Sequence, residues 1–329
     1  MKWIYRRFIF AFFTIFITSN IIFFLIRLMP GNIIDSLIGS YVQRGMSYTD
    51  AYRLLSASFA ISLNKPLHEQ YLSYLLNIFS GNLGNSIGYG NIPVVNIVAE
   101  AIPWTVFTVS IGLFSSFLVG ILLGLLAAYK RNSFLDKVIT LLSMVANAVP
   151  NYVFAYLFIV IFVVTFHLFP MIGAYDASLT TPGFNLSFFV DVLRHAFLPI
   201  LSYFVTSLGS WVLYMRNNAI VVLGDDYVQA AKARGLPESR ITWTYVGRNA
   251  MLPLFTLLAI NIGYIFGGST LIEYIFTYPG IGYFISRSVS TRDYPLIQGL
   301  FFIITVAVTL SNLIADLIYS RLDPRVRFE

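Results

Sequence analysis

The chain has 329 residues, 57% hydrophobic and only 11% charged, with a formal charge of +6 and a mean hydropathy of +0.76. A soluble domain carries roughly 25% charged residues, so lipid is the expected solvent for most of this surface. The chain has no cysteine, which excludes disulfides, thiolate metal sites and a cysteine nucleophile.

Six stretches without a charged residue are long enough to cross a bilayer, which takes about 20 apolar residues: 8–26, 102–129, 138–166, 196–215, 250–272 and 296–315. The expected fold is therefore an all-α integral membrane protein with six transmembrane helices. The first run resembles a signal peptide. It is long, however, lacks a small-residue cleavage site and ends at Arg27 and Pro30, so it reads as a span. Pro150, in NAVPNYV, predicts a kink in the third span, where neighbouring helices must satisfy the freed carbonyl. Splitting that span at Pro150 would leave two halves too short to cross.

Lysine and arginine placement sets the orientation. With both termini cytoplasmic, the cytoplasmic side receives Lys2, Arg6, Arg7, Lys130, Arg131, Lys137, Arg216, Lys232, Arg234, Arg240, Arg248, Arg321, Arg325 and Arg327, most of the chain's 21 basic residues. The long first outer loop keeps Arg27, Arg44, Arg53 and Lys65, and the shorter outer loops keep Arg194, Arg287 and Arg292. The basic charge is topological, and no contiguous basic face marks a nucleic-acid surface.

The organisation expected is an N-terminal tail and first span (1–27), an extracytoplasmic subdomain (28–100) and a five-helix core (101–329). In the subdomain, SYTDAYRLLSASFAISL is amphipathic, and Leu67, Tyr71, Leu75 and Ile78 recur at helical spacing before a glycine-rich turn, SGNLGNSIGYGN. Residues 167–195 read as an outer cap. Residues 273–295 contain a PGIG turn and read as a loop at the membrane face.

No nucleotide P-loop, HExxH or G-x-S-x-G motif is present. His68, His167 and His195 are scattered and read as capping or hydrogen-bonding residues rather than ligands. Asp316, near the inner end of the last span, reads as a structural partner of Arg321. Asn20, Asn147, Asn151 and Asn261 read as interhelical hydrogen-bond donors. The spans carry no acid–base relay, so the energy for any transport must come from outside them.

That directs attention to residues 224–253, GDDYVQAAKARGLPESRITWTYVGRNAMLP, a polar segment too long for a simple connection between two spans. It predicts two short helices, 227–234 and 238–246. Gly235 gives the first a left-handed end, and Pro237 fits the first turn of the second. Ala230, Ala231 and Ala233 offer a small face for close approach by another protein. The plain alternative is a solvated loop with positive-inside charges.

The segment resembles the EAA loop of ABC importer permeases: Gln229-Ala230-Ala231, then Gly235 after Lys-Ala-Arg. The rest of the chain resembles the first permease subunit of that family's peptide/nickel branch. The resemblance is carried by Arg27-Leu28-Met29-Pro30-Gly31, by LNKPLHEQYLSYLLNIFSGNLGNSI, and by Asp226-Tyr227-Val228. It continues with Arg248-Asn249-Ala250, Leu252-Pro253, Glu273, Phe276 and Pro279-Gly280-Ile281-Gly282. Arg292-Asp293-Tyr294-Pro295, Gln298-Gly299, Asp316 and Asp323-Pro324-Arg325 complete it. Gln229 departs from the family's glutamate, so no salt bridge is expected there, and Asn32 stands where aspartate is common.

The resemblance implies the type I ABC importer permease fold and a non-catalytic subunit in the cell membrane of a prokaryote. It also implies a homologous second permease, two ABC ATPase subunits that bind ATP and Mg, and an extracytoplasmic substrate-binding protein. No cofactor would be bound by this chain, and the cargo would be peptide. ATPase coupling would fall on Asp226, Tyr227, Gln229, Ala230, Ala231, Ala233, Gly235, Leu236, Arg240, Arg248, Asn249 and Pro253. The path-lining residues are not identified. Nickel, a metallophore or another small solute is the alternative cargo. An ion-coupled secondary carrier is the alternative class, and it would call for mid-membrane coupling residues and inverted repeats. A structural membrane protein or an embedded enzyme is a further alternative, without a catalytic constellation to support it.

Overall fold

The computed structural model describes residues 2–28, 38–39, 41–43, 45–59, 66–268 and 270–322, without the side chains of 2–4, 27, 54–59 and 315–322. The expectations for Arg27, Met29, Pro30, Gly31, Asn32, Asp316, Arg321 and Asp323-Pro324-Arg325 lie outside the described residues, as do the basic side chains at 2, 44, 65 and 327.

The chain is built from α1 (Lys2–Leu28), α2 (Tyr48–Phe59) and α3 (Leu67–Phe79), then a short antiparallel pair, β1 (Asn85–Ser86) and β2 (Ile92–Pro93). Then follow α4 (Val94–Tyr129), α5 (Phe134–Ala148), α6 (Asn151–Phe158, continued as a π-helix over Ile159–Thr165) and α7 (Leu186–Val222). The polar segment at 224–253 holds α8 (Asp226–Ala233), α9 (Glu238–Arg240), a π-helix (Ile241–Gly247) and α10 (Arg248–Ala250). The chain continues with α11 (Leu252–Tyr264), α12 (Thr270–Ile275), α13 (Ile281–Thr291) and α14 (Tyr294–Leu322).

Among the described residues, five helices are long and apolar enough to cross a membrane: Tyr5–Ile26, Val94–Tyr129, Leu186–Val222, Leu252–Ile275 and Tyr294–Ile314. The α5/α6 pair makes the sixth if it is one span. Its kink is a corner of 99°, because Val149 and Pro150 are both extended, with ψ of 125° and 143°. A residue before proline is driven out of the helical region by the pyrrolidine ring. Two helices outrun their apolar cores. α4 begins at Val94 rather than 102, and α7 begins at Leu186 rather than 196, where Asn185 caps it by accepting from the Phe188 amide at 2.8 Å. The outer cap is correspondingly shorter, and residues 273–295 contain the helix α13 as well as a turn.

The described chain forms two compact units: residues 1–105, 266–270 and 279–314, and residues 106–265, 271–278 and 315–329. In the first, Val94, Ile97, Val98 and Ala101 of α4 pack against Ile281 and Ile285 of α13 and Leu296 and Leu300 of α14. Gly299 allows this approach, since a Cβ there would lie 2.5 Å from Val94 Cγ1. Phe23 of α1 is fully buried against Tyr74 and Ile78 of α3, with Tyr71 and Leu75 alongside. Tyr71, Leu75 and Ile78 of the expected stripe thus lie in this contact, joined by Tyr74, while Leu67 at its start is exposed. Asp293 ties this unit together. It accepts from Ser86 Oγ, from the Gly88 amide at 2.9 Å and from the Leu296 amide at 3.3 Å. One buried carboxylate therefore holds the glycine-rich turn and caps α14.

In the second unit, helices meet through glycines. A Cβ at Gly209 of α7 would lie 2.4 Å from Ser143 O and 2.9 Å from Asn147 N of α5. At Gly120 of α4 it would lie 2.4 Å from Trp211 Cβ, and at Gly124 2.6 Å from Val212 O. Where lipid supplies no hydrophobic drive between helices, small residues permit the close van der Waals contact that does. A polar pair lies beside this seam, where Asn147 accepts from Ser210 Oγ. Within the first unit, Asn20 of α1 accepts from Tyr71 Oη. Both asparagines accept across helices; Asn20 also donates within its own helix, to Phe16 O at 2.6 Å, as Asn261 does to Leu257 O at 2.8 Å.

Candidate coupling site

The segment between α7 and α11 is a helical elbow. α8 ends in a Schellman motif: the Gly235 amide donates to Lys232 O at 2.9 Å and the Leu236 amide to Ala231 O at 3.3 Å. Gly235 has φ +72° and nothing within 4 Å of a would-be Cβ. Its requirement is the left-handed backbone, which L side chains disfavour, and not space. The first helix spans Asp226–Ala233, one residue from the expectation at each end. The second departs further. Pro237 precedes it in an extended conformation (ψ 138°) instead of sitting in its first turn. It also runs past 246, through the π segment, to Ala250. The elbow is therefore continuous with the helix that enters the apolar span, with only Met251 between. π segments are rare and concentrate at functional sites.

Residues 100° apart around α8 divide the alanines. Ala231 is buried together with Val228, while Ala230 and Ala233 are exposed. The small outward face is thus Ala230 and Ala233, and Ala231 belongs to the anchor. Ile241, Thr242, Val246 and Gly247 complete the anchored side. Gly247 admits Leu125 of α4, whose Cδ2 would stand 3.1 Å from a Cβ there. Tyr129 Oη, at the end of α4, donates to Glu238 Oε2 at 3.0 Å.

Gln229 Nε2 donates to Leu223 O at 2.9 Å, satisfying a carbonyl at the end of α7. A glutamate carboxylate has no proton to give there at neutral pH, so the departure from the family pattern has a structural use. Asn249 Nδ2 donates to Tyr227 Oη and to Tyr245 O, each at 2.8 Å, linking α8 to α10. Partial burial pushes the Tyr227 phenol above its ordinary pKa; the Asn249 bond opposes this and nearby Asp225 reinforces it. Asp226 opens α8, Leu236 is half-buried, and Arg240, Arg248 and Pro253 are exposed.

One clasp was not foreseen from the sequence. Arg216 of α7 grips Asp136 of α5 with two bonds, Nε to Oδ1 at 2.6 Å and Nη2 to Oδ2 at 2.9 Å. Asp136 also accepts from the Asn132 amide at 2.9 Å and from Thr140 Oγ1 at 3.2 Å. The positive-inside pattern explains Arg216 as one charge among many, and nothing local in sequence pairs it with a residue 80 positions earlier.

The site holds no nucleophile–base arrangement. Among the described residues no group of three or more histidine and acidic side chains is placed to hold a metal ion. His195 Nδ1 lies 2.9 Å from Asp191 O, a hydrogen-bonding role. What the geometry offers is a short surface helix, closed by a Schellman turn and followed by a second helical segment, 238–250, that runs on to the span beginning at Leu252.

Residues 120–328 match the family described as the inner membrane component of binding-protein-dependent transport systems, and residues 1–106 match the N-terminal family of the membrane component of such systems. The chain is 34% identical over 310 residues to a putative peptide permease protein of Brucella suis biovar 1 (strain 1330), covering 93% of both. It is 32% identical over 266 residues to the oligopeptide transport system permease protein AppB of Bacillus subtilis (strain 168), covering 81% of this chain and 82% of that one. It is 30% identical over 323 residues to the dipeptide transport system permease protein DppB of Escherichia coli (strain K12), covering 93% and 92%. The chain belongs to this family of ABC importer permeases. It is a multi-pass inner-membrane transport component, as the loop at 224–253 led one to expect.

Proposed function

We propose that this chain is a permease subunit of an ATP-driven importer of di- and oligopeptides, forming the path with a homologous second permease. Two separate ATPase subunits bind ATP and Mg, and an extracytoplasmic binding protein delivers the peptide. The ATPases grip α8 on its Ala230/Ala233 face. Their closure on ATP moves the elbow as a lever, and the helices continuous with it re-pack to expose the path alternately to each side.

The observation that carries the reading is identity of about 30% or more, over nearly the whole chain, to proteins named as peptide permeases. The elbow supports the mechanical half. Its outward face is small, its inward face is buried, and it leads without a flexible linker into a span. Uptake of labelled dipeptides, oligopeptides and nickel by cells carrying or lacking this gene tests the cargo. Loss of peptide uptake alone is expected. Loss of nickel uptake with peptide uptake intact would reassign the substrate.

A further inference from the structure

Beside the elbow is an open groove of about 490 Å³, lined by Tyr227, Thr244, Tyr245, Arg248, Asn249 and Leu252. We propose that it holds the headgroup phosphate of an anionic phospholipid from the cytoplasmic leaflet. Among the described residues the Arg248 guanidinium makes no ion pair, and the hydroxyls of Thr244 and Tyr245 make no hydrogen bond. These groups suit a phosphate oxygen, with arginine supplying charge and paired donors. Asn249 braces the wall through its bonds to Tyr227 Oη and Tyr245 O. The acidic neighbour is Asp225, next to Tyr227 on the turn before α8.

The apolar end of the groove selects the source of the phosphate. Leu252 opens the span Leu252–Ile275, so Arg248 stands one helical turn before hydrocarbon. Leu252 and Phe255 follow Arg248 at i+4 and i+7 on one helix face, and they are 61% and 51% exposed. Trp243, 52% exposed on the same segment, has the amphipathic ring found at headgroup level. Charge, then hydroxyls and amide, then an apolar stripe follow the profile of a phospholipid from phosphate to acyl chain. A soluble phosphate has nothing to place on Leu252 and Phe255. The cytoplasmic leaflet is where anionic lipid is attracted to basic side chains next to a span. Such a lipid joins α8 to the membrane surface through Tyr227. This inference stands apart from the choice of cargo, because its test reads binding without transport.

The test is native mass spectrometry of the full-length chain in detergent, with added phosphatidylglycerol, phosphatidylcholine or inorganic phosphate. The first phosphatidylglycerol is expected to bind at least about tenfold more tightly than phosphatidylcholine, a difference of about 1.4 kcal/mol. Arg248→Gln should remove that preference, Tyr245→Phe should reduce it several-fold, and millimolar phosphate should not displace the lipid. Equal binding of the two lipids, or a preference unchanged in both variants, would overturn the proposal. Displacement by phosphate would overturn the assignment to a lipid.

Discussion

Glycine does two different jobs in the second unit. In the α5–α7 contact, Gly209 is there for space: backbone atoms of the neighbouring helix occupy the position its Cβ would take. At the elbow, Gly235 is there for its dihedral: φ is +72° and the surroundings are empty. The first holds transmembrane helices together, and the second ends a surface helix. The contrast separates a region that must resist deformation from one that must present a fixed shape to something outside the chain. Losses at the seam should therefore appear as stability, and losses at the elbow as coupling.

The same substitution at both glycines breaks or sharpens this division. Gly209→Val drives a branched side chain into Ser143 O and Asn147 N, and neither backbone atom can rotate away. A destabilisation of about 3 kcal/mol is expected, the upper end of the range for overpacking. It should be visible as a lowered melting temperature and poor recovery in size-exclusion chromatography. Gly235→Val strains one residue by about 1–2 kcal/mol. Its effect should stay local, as faster hydrogen exchange over residues 226–236 with global melting almost unchanged. Equal global destabilisation by the two variants would erase the distinction.

Asp136→Asn comes next in size. It leaves Arg216 bound to a neutral acceptor, in a clasp where Asp136 is nearly buried and Arg216 keeps a fifth of its side-chain surface. Removing one partner of a buried pair costs about 3–5 kcal/mol. Because the arginine reaches solvent and an amide oxygen remains, the expected loss is below that, about 1–2 kcal/mol, read by thermal melting. The smallest effect is expected for Gly235→Asn, since asparagine tolerates the left-handed region better than other side chains. Its exchange rates over 226–236 should fall between those of wild type and Gly235→Val.

The elbow was largely legible in the sequence and the seam was not. Gly235 is followed by Leu-Pro and preceded by a short polar helix, all local signals that predict a helix end. Pro150 likewise announced a break, though not a 99° corner, because the bend depends on Val149 also being extended. Gly120, Gly124 and Gly209 sit inside uniformly apolar runs, where no periodicity marks the packed face. The Asp136–Arg216 clasp and the Asp293–Ser86 bond join residues far apart in the chain, so no local window contains them. The early starts of α4 and α7 were missed for another reason: Glu100 in α4 and Asp191 and Arg194 in α7 interrupt the apolar run, and a search for uncharged stretches begins only after them. The π segment at 241–247 leaves no recognisable signature in ITWTYVG.

The central claim is that α8 is gripped from outside through Ala230 and Ala233. The most direct measurement uses the Ala230→Arg/Ala233→Arg double variant, co-expressed with its partner subunits and reconstituted in liposomes with ATP. Both sites are exposed, so melting of the permease itself should match wild type. The account predicts that the ATPase subunits no longer co-purify and that peptide uptake falls at least about tenfold, the equivalent of about 1.4 kcal/mol of lost contact. Wild-type uptake with the ATPases still bound would contradict it.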